Sequence, residues 1–166
     1  FIGSDTSIAN TSTHAYYELD TGPLHSWNTF ERNVTQDYLD VFGNLGFNFR
    51  LDRFAFYVNS YDLEYTRAYI DDVNLWNDTE SKVGGLVNSG NFETGYSGSW
   101  WWGFVYDAGL GDISQSTTRV EGDWSLNMTV NTDGDTGYSK LTNQIYKMIS
   151  SSNKDQFSLY WNIADW

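Results

Sequence analysis

The chain has no cysteine. Disulfides and thiolate metal sites are therefore excluded, and any stability must come from packing and hydrogen bonding. An extracellular location is not excluded, because many surface proteins lack disulfides. Cations are scarce: nine Lys and Arg stand against 22 Asp and Glu, for a formal net charge of −13. Nucleic acid binding calls for clustered Lys and Arg, so the charge argues against it. An anionic membrane surface is disfavoured on the same ground. No apolar run approaches the length of a membrane span. No signal peptide is present, but a mature chain would have lost it. A single proline and two histidines complete the short side of the composition. His14 and His25 stand in no zinc-binding spacing.

Aromatic residues are abundant, at 18% of 166 residues. Tyr and Trp combine an apolar body with a polar tip, so they serve a core, a subunit interface or sugar stacking. The carboxylates suit a soluble acidic surface, and they equally suit calcium, which takes oxygen ligands. Asn-x-Ser/Thr sequons at Asn10, Asn33, Asn77 and Asn127 point to a secreted, glycosylated protein. At this length the chain is most simply one domain with enough residues for a sizeable core.

Along the chain, strand periodicity dominates. Residues 4–13 read as a polar loop and residues 14–20 as an alternating strand. A turn follows at Thr21, Gly22 and Pro23. Residues 27–34 read as a strand with Asn28, Phe30, Arg32 and Val34 on one face. Residues 35–43 carry the one helical signal: Thr35 can cap, Asp37 lies in the first turn, Tyr38, Leu39 and Phe42 have helical spacing, and Gly43 can end it. This predicts one short helix near residues 36–42. Residues 49–59 form a strand with Phe54, Phe56 and Val58 on one side, and residues 61–64 turn back into a strand over 67–76.

Residues 86–95 predict a short strand, a Gly/Asn turn and a second short strand. Trp100 and Trp102 would then share one face of a strand. Residues 108–114 read as a Gly-rich loop, and residues 117–121 and 123–130 as strands around a turn at Gly122. Trp124, Leu126, Met128 and Val130 would face inward, with Asn127 outward as a glycan acceptor must be. A turn cluster at 131–137, a long strand over 138–148 and a last strand with Phe157, Leu159, Trp161 and Ile163 on its apolar face complete the pattern. Many short strands with regular turn signals make an all-β sandwich.

Two stretches carry more than periodicity. Residues 69–76 (Tyr-Ile-Asp-Asp-Val-Asn-Leu-Trp) and residues 88–95 (Asn-Ser-Gly-Asn-Phe-Glu-Thr-Gly) resemble, respectively, the closing and opening signatures of jelly-roll carbohydrate-binding modules of the galactose-binding-like type. Residues 27–43 are similar to a further segment of some of these modules. The resemblance covers most of the chain, but in the order 84–166 followed by 1–76. It implies a single module over residues 1–166: a jelly-roll β-sandwich of two antiparallel sheets, circularly permuted or cut in mid-repeat from an array. The two chain ends would then be adjacent, or joined to a neighbouring copy.

The resemblance also implies a structural calcium near the opening Phe-Glu and the closing Asp-Asp. This nominates Glu93 and Asp72 as ligands, with Asp71 and Asn91 beside them. The alternative for Glu93 is a hydrogen-bonded carboxylate at a strand end. Asp71 and Asp72 are no catalytic pair, since adjacent strand residues point to opposite faces. Ser97 stands in a sequence that breaks the nucleophile-elbow pattern, and Gly109 to Gly111 lacks the rest of a phosphate loop. Tyr16, Tyr57, Trp100, Trp102 and Tyr160 are the residues that could stack on sugar rings, provided they lie on one exposed face. Burial in the core or at an interface is the alternative for each.

The leading expectation is a non-enzymatic extracellular or cell-surface module, a protomer or repeat of a filament or adhesin whose copies share strands head to tail. The alternative is a glycan-binding module of a secreted glycosidase or surface protein, with polysaccharide as its partner. A stand-alone hydrolase comes third.

Overall fold

The computed structural model describes residues 23–43, 50–60, 65–77, 90–94, 101–105, 111–131, 137–148 and 155–165. The fold is all-β with one short helix. In chain order the elements are β1 (Asn28–Asn33), α1 (Val34–Phe42), β2 (Arg50–Ser60), β3 (Tyr65–Trp76), β4 (Trp101–Val105), β5 (Gly111–Ser116), β6 (Ser125–Asn131), β7 (Gly137–Met148) and β8 (Gln156–Asp165). They form a five-stranded sheet in the order β1-β8-β3-β6-β5 and a three-stranded sheet in the order β2-β7-β4. Every pairing is antiparallel.

One core joins the two sheets. Phe56 and Val58 of β2 belong to the same buried cluster as Ala68 and Ile70 of β3, Leu126 and Met128 of β6, and Leu159, Trp161 and Ile163 of β8. The period-2 pattern explains this directly, because alternate residues of each strand point to one face.

One break in the alternation matters for the site. In β3, Ile70 and Asp71 are buried in succession, and the register with β8 shifts between Asp71 and Asn74. Asp72 takes a left-handed backbone conformation there, with φ 47°. This irregularity turns the Asp71 side chain into the protein while Val73 and Leu75 resume the buried face.

Several local expectations change. The helix cap is Asn33, whose Oδ1 accepts from the Gln36 N–H at 2.9 Å, and not Thr35. Thr35 is instead buried, its Oγ1 accepting from the Asp155 N–H at 3.0 Å. Asp37 and Gly43 serve as expected: Asp37 lies in the first turn and pairs with Arg32, and Gly43 ends the helix with φ 79°. Residues 111–114 form strand, not loop, because β5 pairs with β6 and buries Ile113. Residues 117–121 form no strand. They are exposed, and Arg119 folds back onto the carbonyls of Thr117 and Gly122. Trp124 precedes β6 and is 38% exposed, so the inward face starts at Leu126. Residues 90–94 are a turn with no strand among them, and Phe92 is buried with φ 57°; the rest of the 86–95 expectation lies outside the described residues. Expectations for residues 4–20, 61–64 and 132–136 and for both chain ends fall outside the described residues.

Candidate functional site

The two signature stretches meet. The Val73 N–H donates to the Gly90 carbonyl at 2.9 Å, so the 90–94 turn lies against the end of β3. Gln115 Nε2 holds the turn from the other side through the Phe92 carbonyl, at 2.7 Å. The resulting junction sets Asp71 and Glu93 against one object, the irregular loop of residues 117–124, while Asp72 and Asn91 bond only to near sequence neighbours.

Two carboxylates hold that loop. Asp71 is fully buried. Its Oδ1 accepts from the Asp72 N–H at 2.8 Å, and its Oδ2 from the Val120 and Glu121 N–H groups at 2.8 and 3.3 Å. Burial raises its pKa above the ordinary carboxylate value, while the three backbone donors act in the opposite sense and only partly offset it. Glu93 accepts from the Asp123 N–H with both oxygens, at 2.9 Å each, and from the Trp124 N–H at 3.0 Å. Gly122 makes the approach possible. It has φ 64°, and a Cβ there would stand 2.1 Å from Glu93 Oε1.

The other two residues act locally. Asp72 accepts from Asn74 Nδ2 with its carbonyl and its Oδ1, at 2.9 and 2.8 Å. Asn91 Oδ1 accepts from the Glu93 N–H at 3.4 Å. As arranged, these oxygens do not fit a calcium ion. Calcium takes six to eight oxygens, whereas Asp71 and Glu93 face five amide N–H groups whose positive ends point to where a cation would stand. Among the described residues no group of three or more His, Cys, Asp or Glu converges as a metal site. What the junction does is pre-organise a loop on which Val120 and Trp124 are both 38% exposed.

Of the sugar-stacking candidates, the two whose side chains are described, Tyr57 and Tyr160, do not share a sheet. Tyr57 lies on β2, on the face opposite Phe56 and Val58, and Tyr160 lies on β8, opposite Leu159 and Trp161. Both are half-buried, but they belong to different sheets. Trp102 sits in β4 across from Thr142 of β7. Tyr16 and Trp100 lie outside the described residues.

Of the sequons, Asn33 caps α1. Asn77 is buried, its Nδ2 donating to Asp155 Oδ1 at 3.3 Å. Asn127 is on the outer face of β6 and donates from Nδ2 to Ser114 Oγ at 3.1 Å. Asn10 lies outside the described residues. His25 has φ 61° and donates its N–H to the Ile163 carbonyl at 2.8 Å.

Sequence reasoning nominated Glu93 and Asp71 but missed what they bind, because the partners lie 30 and 49 residues away and are backbone groups. Gly122 was the available clue: a lone glycine between two acids marks a place where chain or side chain approaches closely. Comparison of the chain with protein-family models, curated proteins and solved structures finds no match.

Proposed function

We propose that this chain is a non-enzymatic structural module of an extracellular filament or adhesin, built from carbohydrate-binding-like jelly rolls that share strands between copies. One observation carries the reading: the two signature stretches adjoin through the Val73 to Gly90 hydrogen bond, although the chain visits them in inverted order. A module of that lineage can lend a strand to a sheet edge of the next copy. The contact is head to tail and does not close on itself, so it propagates as a fibre. Eight strands among the described residues, with the chain crossing repeatedly between two sheets, agree with a jelly roll. The signature carboxylates support a structural use, since both are engaged in anchoring a loop.

Negative-stain images of purified protein, together with size-exclusion light scattering over a wide concentration range, test the reading. Filaments or ladders of oligomers are expected. Monodisperse monomers at every concentration would sink it.

A glycan-binding module is the second reading. It is favoured by half-buried tyrosines standing outward on both sheets, Tyr57 on one and Tyr160 on the other.

A further inference from the structure

The outer face of the five-stranded sheet carries a row that the junction described above does not use. Strand register aligns Asn162 of β8 with Tyr69 of β3, Tyr69 with Asn127 of β6, and Asn127 with Ser114 of β5. Asn28 opposes Trp161, so Trp27, just ahead of β1, extends the row beyond Asn162. The sequence neighbours of the row, including Ala68, Ile70, Leu126, Met128, Trp161 and Ile163, form the core, so the row faces away from it.

Two features of this row are unusual. The Trp27 and Tyr69 rings stand 6.5 Å apart at 44°, although the β8 strand runs between their own strands. Strands two places apart are separated by roughly 9.6 Å. The rings therefore lean towards each other across Asn162. Beneath them Asn162 is 5% exposed, and its Oδ1 has no hydrogen-bond partner among the described residues. On the other side of Tyr69, the Oδ1 of Asn127 is also buried without a partner among the described residues. Folded proteins rarely leave such acceptors unmet, and each exception calls for an explanation.

We propose that this row is a subsite for a neutral saccharide, with Trp27 and Tyr69 as its aromatic walls and the carboxamide oxygens of Asn162 and Asn127 as its hydroxyl acceptors. The inference rests on the glycan-binding reading, but not on the residues first named for it. A pyranose ring has an apolar C–H face suited to Trp and Tyr, and a rim of O–H donors suited to orphan carbonyl oxygens. Trp27 lies outside the β1 ladder, and admitting the sugar requires its ring to part from Tyr69. The adjoining cation is already matched: Arg67 donates to Tyr65 Oη at 2.9 Å, lies over the Tyr65 ring, and pairs with Asp165 at 3.4 Å. With a net charge of −13 the protein repels uronates and sulfated glycans. The ligand class is therefore a neutral oligosaccharide.

Affinity gel electrophoresis in soluble xylan, mixed-linkage β-glucan, galactomannan and polygalacturonate, followed by calorimetric titration, tests this. Retardation by at least one neutral polysaccharide and none by polygalacturonate is expected. Trp27→Ala and Asn162→Leu should each lower affinity at least tenfold. Asn162→Leu should leave Tm unchanged or higher, because it removes a buried amide oxygen that has no partner among the described residues. If both variants fold and bind within twofold of the wild type, the row is not the site, although the glycan-binding reading survives. Retardation by polygalacturonate overturns the ligand class. No retardation of the wild type by any neutral polysaccharide overturns the inference and that reading together.

Discussion

Asp71 and Gly122 show how single residues carry this fold. Asp71 has no solvent exposure and three backbone donors, two of them from a loop 49 and 50 residues away. In Asp71→Asn, an NH2 group would face N–H donors, leaving buried groups unmet at a cost of about 2 kcal/mol in urea unfolding at pH 7. The pH dependence has a definite sign. Burial raises the folded pKa above the ordinary 3.8, so the folded state binds more protons than the unfolded one between those values. The contribution of Asp71 is thus fully present below the ordinary value and is lost as pH rises through the folded one. The stability difference between wild type and Asp71→Asn should fall across that window and stay flat above it. A difference that grows with pH would refute this assignment.

Gly122 makes a coupled prediction with Glu93. Gly122→Ala combines a left-handed backbone with a Cβ at 2.1 Å from Glu93 Oε1, so it should destabilise by more than about 1 kcal/mol. Shortening the partner relieves the steric part. In a Gly122→Ala, Glu93→Ala double-mutant cycle, the double variant should therefore lose less than the sum of the singles, by about 1 kcal/mol. Strict additivity would mean that Glu93 does not meet Gly122.

Elements repeat the same lesson at longer range. Helix α1 was legible because its signals are local: an acidic first turn, helical spacing and a terminal glycine. Its cap was misread by two residues. Thr35 and Asn33 are both good caps in isolation, and a buried contact with Asp155, 120 residues away, takes Thr35 out of the competition. Asn33→Ala should accordingly cost about 1 kcal/mol in thermal or urea unfolding, as loss of an N-cap does; no loss would show that the cap lies elsewhere. The 117–121 stretch erred the other way. Thr, Val and alternation read as strand, but a strand needs a neighbour to pair with. Here the backbone donors of Val120 and Glu121 go to Asp71 instead.

The molecule as a whole carries dense negative charge around an all-β framework of two antiparallel sheets. Self-repulsion of that charge is screened by salt, so Tm should rise between roughly 10 and 200 mM NaCl, where the Debye length shrinks from about 30 to below 10 Å. Calcium at matched ionic strength should add no more than about 2 °C to this, since the signature carboxylates already face N–H donors. A larger, saturable rise in differential scanning calorimetry would return calcium to the junction.

Whatever follows from local period was determined by the sequence alone: the all-β class, the apolar faces of β3, β6 and β8, and helix α1 with its acidic first turn and glycine stop. These depend on neighbours two to four residues apart, which a linear reading contains. Only the tertiary structure decided which acids anchor the 117–124 loop, why Asn33 rather than Thr35 caps the helix, that Tyr57 and Tyr160 belong to different sheets, and that Trp27, Asn162, Tyr69 and Asn127 form one row. Each is a matter of register or of backbone donors brought from 30 to 120 residues away. Such partners are chosen by the sheets as they pair, and no side-chain pattern along the chain encodes them.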